Sequence, residues 1–248
     1  MHSAAAEAAG GDSVYRRAMR RHSEGVLVGG QALAPELPCA PREVIAALEP
    51  FVTEARAARL KDVLGKRLSS VALVVDALHD PHNGAALVRT CDAFGVQCIH
   101  AIERKEPIAI AATVARGSQK WITLVRHENG DACVQALRDS GHELVATHPE
   151  GELLPEDLAR IPRVALVLGN EREGIAPALR AACVRAVRVP MVGFVESLNV
   201  SVTAAILLHA ATRGRAGDLD APSFDALYAR ALWLTVPRPE LHLQARGA

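Results

Sequence analysis

The chain contains 248 residues, of which 50% are apolar and 23% are charged, a composition typical of a globular protein with a sizeable core. Lysine plus arginine and aspartate plus glutamate each total 28 residues, so the net charge is zero and a chain-wide basic field is excluded. Any nucleic-acid site must therefore be a local patch, and the 3% aromatic content argues against a platform built on base stacking.

The cysteine content indicates a reducing compartment. The chain has five widely spaced cysteines: Cys39, Cys91, Cys98, Cys133 and Cys183. Because no two of them form a C-x-x-C pair, we predict neither a disulfide framework nor a metal site. Residues 16–34 have arginines before an apolar stretch, as in an export signal, but polar residues interrupt that pattern and we set the alternative aside. No run approaches the roughly 18 apolar residues of a membrane span, and we expect a cytoplasmic protein.

The N-terminal part of the chain divides into two segments. Residues 1–41 are rich in Ala, Gly, Pro and Arg and lack periodicity, which predicts a disordered extension. Residues 42–68 have apolar residues at helical spacing together with several arginines and lysines, which predicts a basic helical extension.

From residue 69 onward, strands and helices are predicted to alternate. We predict strands at residues 71–75, 96–102, 122–125, 143–147, 164–168 and 186–190, each an apolar run bounded by polar residues. We predict helices at residues 83–94, 132–139, 177–184, 200–213 and 223–234. The alternation indicates an α/β fold with a mostly parallel sheet, flanked by N- and C-terminal helical extensions. Residues 69–215 would form the main domain, and residues 216–248 a linker, a helix and, after Pro237, a mobile tail.

Three segments have the residue types of a functional site. In residues 76–90, a strand leads through a turn to Asn83, predicted to cap the next helix, and then to Arg89, which could pair with Asp92. In residues 164–175, a buried strand runs directly into Gly169, and a glycine allows a ligand to approach the backbone closely.

The third segment, residues 189–205, places Ser197 and Asn199 at the start of a long helix, where free N–H groups favour an anion. Neither G-x-G-x-x-G nor G-x-G-x-G occurs in the chain, which argues against a Rossmann-type cofactor site. Each segment alone is also compatible with a structural cap or turn.

In order and spacing, these segments resemble the three motifs of the SpoU branch of the SPOUT RNA methyltransferases. The resemblance rests on Asn83 with Arg89 and Thr90, on residues 169–171, and on residues 190–201. Within that branch the chain is most similar to the TrmH group of tRNA guanosine 2′-O-methyltransferases, through residues 79–83, 89–93 and 117–121 and the basic helix upstream. The resemblance covers residues 56–215.

The resemblance implies a deep trefoil knot at the C-terminal end of the sheet and a homodimer whose site is completed across the interface. The knot would bind S-adenosylmethionine, with a lining that includes Thr147, Gly169, Val189 and Leu198. Arg89 would act either as a base or as a cation that holds phosphate and the developing alkoxide.

The remaining site residues are also assigned by the resemblance. Asn83 would orient Arg89 or the ribose, and Glu171, Ser197 and Asn199 would organise the pocket. Ser197 would bind a phosphate, and the neighbouring Glu196 would point away from that phosphate. Phosphate contacts are expected from five basic residues: Arg59, Arg67, His82, Arg213 and Arg215.

The function implied is S-adenosylmethionine-dependent 2′-O-methylation of guanosine 18 in the tRNA D-loop, without a metal or a membrane. The first 50 residues lack the several strands of a compact RNA-binding domain, which favours tRNA over ribosomal RNA. Two alternatives remain: a ribosomal-RNA ribose 2′-O-methyltransferase, and an RNA-binding relative that has lost catalysis.

Overall fold

The computed structural model describes residues 27–28, 31–32, 37–103, 115, 117–170 and 173–244. Its strands are β1 (Leu27–Val28), β2 (Gln31–Ala32), β3 (Leu68–Asp76), β4 (Val96–Ile102), β5 (Thr123–His127), β6 (Glu143–Thr147), β7 (Val164–Leu168) and β8 (Arg185–Val187). Its α-helices are α1 (Pro41–Leu48), α2 (Glu54–Gly65), α3 (Pro81–Ala93), α4 (Gly130–Asp139), α5 (Pro177–Ala182), α6 (Val200–Thr212), α7 (Ala221–Thr235) and α8 (Pro239–Gln244). Short 3-10 helices lie at Glu49–Phe51, Ser118–Lys120 and Pro155–Arg160.

The main sheet has six strands in the order β5-β4-β3-β7-β6-β8, and every neighbouring pair is parallel. Every residue of the central strand β3 is buried. Val71 and Leu73 face a core shared with α3 and α6, whereas Ala72 and Val74 face a second core shared with α4 and α5. Since both faces are covered, the strands are continuous apolar runs, and the predicted α/β fold with a mostly parallel sheet is confirmed.

The two terminal extensions pack against each other. Leu48 of α1, Leu64 of α2 and Leu232 of α7 share one apolar cluster. The prediction of a mobile tail after Pro237 is wrong for residues 239–244, which form α8, because Leu243 packs against this cluster. Within the segment predicted as disordered, β1 pairs with β2 in antiparallel fashion, and the rest of residues 1–36 lies outside the described residues.

The start of α3 differs from the prediction in a way that matters for function. The helix begins at Pro81, and its N-cap is Asp80, whose carboxylate accepts a hydrogen bond of 2.8 Å from the His82 backbone N–H. Proline suits the first helical position because its missing N–H would have no partner there. Asn83 is therefore the third residue of the helix, and the prediction that it caps α3 is wrong. The helix ends as predicted before Gly95, whose φ of 74° needs a glycine.

A polar network closes the amino-terminal edge of the sheet. Asp218, in the loop before α7, accepts hydrogen bonds from the backbone N–H groups of Ser69 and Ser70. The buried His142 imidazole donates from Nε2 to the Ser69 carbonyl over 3.0 Å and contacts the Ser140 hydroxyl through Nδ1 at 2.7 Å. Burial, and then the positive charge of Arg163, lower the pKa of His142 to about 4.

This network predicts a pH dependence of stability. In the unfolded chain His142 takes up a proton near pH 6.5, whereas in the folded chain it stays neutral down to about pH 4. The contribution of the neutral His142 to stability should therefore be complete above pH 6.5. The free energy of unfolding should fall by roughly 3 kcal/mol as the pH drops from 6.5 to about 4. Urea unfolding measured from pH 7 to pH 4 checks this.

The control is His142→Gln, which retains a donor for the Ser69 carbonyl but does not titrate. Its unfolding free energy should depend less steeply on pH than that of the wild type. Parallel pH profiles for the two proteins would contradict the role assigned to His142.

Candidate active site

A cavity of about 510 Å³ lies where β6, β7 and β8 end, between the loop after β8 and the start of α6. The carboxyl edge of a parallel sheet is where ligands bind in α/β proteins. The cavity is lined by Thr147, His148, Pro149, Leu168, Gly169, Asn170, Gly174, Ile175, Val187, Val189, Met191, Glu196, Ser197, Leu198, Asn199, Val200, Thr203 and Leu207. All four residues predicted to contact a cofactor are in this set.

Backbone groups form much of the cavity wall. The hydroxyl of Thr147 donates to the Val167 carbonyl over 3.1 Å and so ties the end of β6 to β7. After β7 the chain folds back on itself, with the Asn170 side chain accepting from the Glu173 backbone N–H over 2.7 Å. A Cβ atom on Gly169 would overlap the backbone of Gly174, which is why this position requires glycine.

Side-chain hydrogen bonds join the three segments that the sequence singled out. The amide of Asn199 donates to Oδ1 of Asn83 over 3.0 Å, which links the first segment to the third. Its Oδ1 caps α6 by accepting from the Ser201 backbone N–H over 2.8 Å. Asp76, at the end of β3, accepts from the Ala176 backbone N–H over 2.8 Å, just beyond the second segment. The segments therefore meet around one cavity.

The loop after β8 contributes three exposed residues to the cavity lining: Glu196, Ser197 and Asn199. Glu196 is the only acidic residue among the described lining residues. Glu171, predicted to organise the pocket, lies outside the described residues.

Arg89 is exposed on α3 and does not line the cavity of its own chain. It follows Asn83 by six residues, which on an α-helix turns the two side chains about 120° apart. Asp92, which the sequence offered as a partner for Arg89, pairs instead with the buried Arg67. Asn83 does not line the cavity either, but it is hydrogen-bonded to Asn199, which does.

The predicted RNA-contacting residues fall into two groups. Arg59, His82 and Arg213 are exposed. Arg67 is only 2% exposed and forms an ion pair with Asp92, so its assignment as a phosphate contact is corrected: a buried guanidinium cannot contact RNA.

Arg215 is corrected for a related reason. Its guanidinium donates to the carbonyl groups of Ala211 and Pro162, each over 2.7 Å, and to those of Leu158 and Ile161. It also donates to the Ser70 hydroxyl over 3.2 Å. All five N–H donors of Arg215 therefore have partners within the chain, and none is left for a phosphate.

The chain matches known RNA methyltransferases along most of its length. The sequence model of the SpoU rRNA Methylase family matches residues 70–209. A tRNA (guanosine(18)-2′-O)-methyltransferase of Thermus thermophilus is 35% identical over 193 residues, which cover 73% of this chain and 97% of that protein. The chain belongs to the SpoU methylase family.

Solved structures of SpoU enzymes have the same fold. The A. aeolicus TrmH/SpoU tRNA modifying enzyme superposes with a TM-score of 0.66 at 29% identity, covering 75% of this chain and 98% of that one. The AdoMet-bound rRNA methyltransferase of Sinorhizobium meliloti superposes with a TM-score of 0.53 at 28% identity, covering 62% of this chain and 59% of that one. The resemblance inferred from the three segments is confirmed.

None of the described helices is long and apolar enough to span a lipid bilayer.

The tight turn at Gly169 predicts the effect of a single methyl group. Gly169→Ala should displace the Gly174 backbone, narrow the cavity and lower the free energy of unfolding by about 1–3 kcal/mol. Thermal and urea unfolding measure the loss.

Gly193→Ala is the matched control, because a Cβ atom there meets nothing within 4 Å and the backbone needs no positive φ. It should unfold within about 0.5 kcal/mol of the wild type. Equal stability of the two variants would show that the turn relaxes around the methyl group and would contradict this account of Gly169.

Proposed function

We propose that this SpoU family member is an S-adenosylmethionine-dependent RNA ribose 2′-O-methyltransferase that acts on guanosine 18 of the tRNA D-loop. The observation that carries the proposal is that two tRNA (guanosine(18)-2′-O)-methyltransferases match this chain over 97% and 81% of their own lengths. The three motif segments also converge on one cavity. Since tRNA is the substrate, we place the enzyme in the cytoplasm.

The cavity fits S-adenosylmethionine in size and in charge. Its volume of about 510 Å³ lies within the range of about 300–1,000 Å³ usual for small-molecule sites. Turn backbone around Gly169 and Leu198 offers N–H and carbonyl groups to an adenine ring, and apolar residues such as Ile175 and Leu207 surround it. The one acidic residue among the described lining residues, Glu196, suits a ligand that carries a sulfonium and an ammonium group.

When bound, S-adenosylmethionine supplies an electrophilic methyl group. The chain must then hold the ribose 2′-oxygen in line with that methyl group and stabilise the charge that develops as the hydroxyl loses its proton. We assign the orientation of the ribose to Asn83 and Asn199, which are already hydrogen-bonded to each other, and a phosphate contact to Ser197. Glu171 remains assigned to the same pocket.

We assign to Arg89 the role of a cation that holds phosphate and the developing alkoxide, because an arginine is a poor proton acceptor. Since the cavity of one chain does not include Arg89, we propose that a second copy provides it in a homodimer. Exposed apolar residues on the two elements that flank the cavity support this arrangement. Val192, Phe194 and Val195 lie on the loop after β8, and Val202 and Ile206 lie on α6.

We also propose that the C-terminal part of the chain forms the trefoil knot of SPOUT enzymes. Two features support it: β8 lies at the sheet edge beside β6, and the chain then returns across the end of β7 to place α6 against α3. For RNA contacts we retain Arg59, His82 and Arg213, which are exposed and can add salt-dependent phosphate binding.

Mass spectrometry of nucleosides tests the activity. Unmodified tRNA and ribosomal RNA transcripts are incubated separately with the purified chain and S-adenosylmethionine, and we expect 2′-O-methylguanosine only in tRNA, at position 18. Thr203→Trp, which fills the cavity from α6, controls for contaminating enzymes and should give none. Methylation of ribosomal RNA alone would support the second candidate, and no 2′-O-methylnucleoside in either RNA would refute the enzyme.

Mixed dimers test whether Arg89 acts across the interface. Arg89→Ala and Thr203→Trp should each abolish methyl transfer. The two variants are co-expressed with different tags. A heterodimer would contain one intact site of two, and half of the dimers formed by random pairing are heterodimers. The unseparated mixture should therefore recover about a quarter of wild-type activity. If Arg89 instead acts at the site of its own chain, every site in the mixture lacks either Arg89 or an open cavity. A completely inactive mixture would therefore contradict the proposal that the site is shared between two chains.

A further inference from the structure

Two histidines and a cysteine meet in the interior, on the half of the sheet away from the cavity. His100 lies in β4, His127 ends β5, and Cys133 lies in α4, which packs on that face. All three are buried, and their ligand atoms lie within 4.8 Å of one another. We propose that this cluster, here called the His-His-Cys site, binds a zinc ion.

The ring orientations favour binding through the facing nitrogens. His100 Nδ1 and His127 Nε2 are 2.9 Å apart, and the two rings are nearly parallel, with 9° between their planes. His100 Nε2 is 3.4 Å from the thiol of Cys98. His100 therefore directs Nδ1 toward the centre of the cluster, while Cys98 holds its other nitrogen, as partners outside a metal site commonly do for a ligand histidine.

The distances are close to those that zinc requires. With Zn–N near 2.0–2.1 Å and Zn–S near 2.3 Å, tetrahedral ligand atoms lie roughly 3.3–3.6 Å apart. The two histidine nitrogens must separate slightly, and the thiol must approach by on the order of 1 Å, which side-chain rotation supplies. Two nitrogens and a sulfur are a donor set that zinc prefers, and a water molecule can complete the tetrahedron.

The protonation chemistry is also compatible. Burial, together with His127 and His142, lowers the pKa of His100 well below 6.5, so a proton does not compete with a metal at neutral pH. Burial, and then the nearby Asp76 and Cys183, raise the pKa of Cys133 to about 12. Because the Cys133 thiol is protonated at neutral pH, the ion must displace its proton: a Zn–S bond replaces the S–H bond, and one proton leaves for solvent. The proton between the two facing nitrogens moves to the outer nitrogen of the imidazole that carried it, so each imidazole remains neutral with a single proton.

The ligands also offset part of the charge of the ion. The Cys133 thiolate formed on binding neutralises one of the two positive charges of zinc in a low-dielectric interior. His127 is the last residue of the edge strand β5 and leads directly into the turn before α4, so local opening of this edge gives an ion access.

Cobalt spectroscopy on the untagged, chelator-treated full chain tests the proposal. We expect one Co²⁺ per chain with a thiolate-to-cobalt charge-transfer band and the visible bands of tetrahedral cobalt, and zinc should displace it. Saturation with zinc at a hundredfold excess over its Kd should raise the melting temperature by roughly 5–10 °C. Calorimetry in buffers of different ionisation enthalpy should show one proton released per ion.

Cys133→Ala should lose the charge-transfer band and the zinc-dependent rise in melting temperature. The control is Cys183→Ala, which removes another buried thiol from the same apolar layer and should retain both. Circular dichroism establishes that each variant is folded, and His100→Gln provides a second ligand deletion. Absence of the band in the wild type, or a band unchanged in Cys133→Ala, would overturn the site. Because S-adenosylmethionine binding is measured separately and should not require zinc, neither result bears on the proposed methyltransferase activity.

Discussion

The side chain of Asn199 holds the active-site region together. Its oxygen caps α6, while its amide nitrogen reaches Asn83 in the first turns of α3, 116 residues earlier in the chain. One amide can do both because its donor and acceptor point in different directions. The cavity exists only while α6 begins at this point, since residues on both sides of Asn199 line it. The first and third segments are thus coupled by a contact that neither segment can make alone.

The two edges of the sheet have different tasks. At the carboxyl edge, strands end in turns that line the cavity, and most of the side chains there are small or apolar, with His148 and Glu196 as the ionisable exceptions. At the amino edge, Asp218, Arg215 and His142 use nearly all of their hydrogen-bonding groups on backbone or neighbouring side chains. The amino edge therefore fixes the end of α6 in place, and this rigidity is what allows the start of the same helix to shape a binding site.

The strands were the part of the fold most accessible from sequence, because a strand buried on both faces is a continuous apolar run with polar ends. The predicted bounds of β4, β6 and β7 agree with the structure at both ends. The start of α3 was mispredicted because Asp80 and Asn83 are both capping residues, and only Pro81 between them decides which one caps. The four cofactor-lining predictions converge on the cavity, but they came from a resemblance, since no local pattern shows which turns meet.

Residues that only the tertiary fold brings together could not be identified from a local sequence pattern. His100, His127 and Cys133 have no regular spacing, and only the parallel pairing of β4 with β5, under α4, brings them together. Glu196 likewise joins residues such as Thr147 and Gly169 in one cavity lining only through the fold, because these residues are far apart in the chain.

The arginines illustrate most clearly what sequence alone leaves open. A long apolar stem lets an arginine lie either in the interior or at the surface, so Arg59 and Arg67 look equivalent on a basic segment. Arg67 follows the last turn of α2 and turns inward to Asp92, whereas Arg59 lies within the helix and stays exposed. Buried near Arg67, Arg230 has its pKa lowered to about 10, first by burial and then by that like charge. Arginines of this kind lie in the interior beside α2 and α7, so a count of basic residues overstates the charge that the surface can offer to RNA.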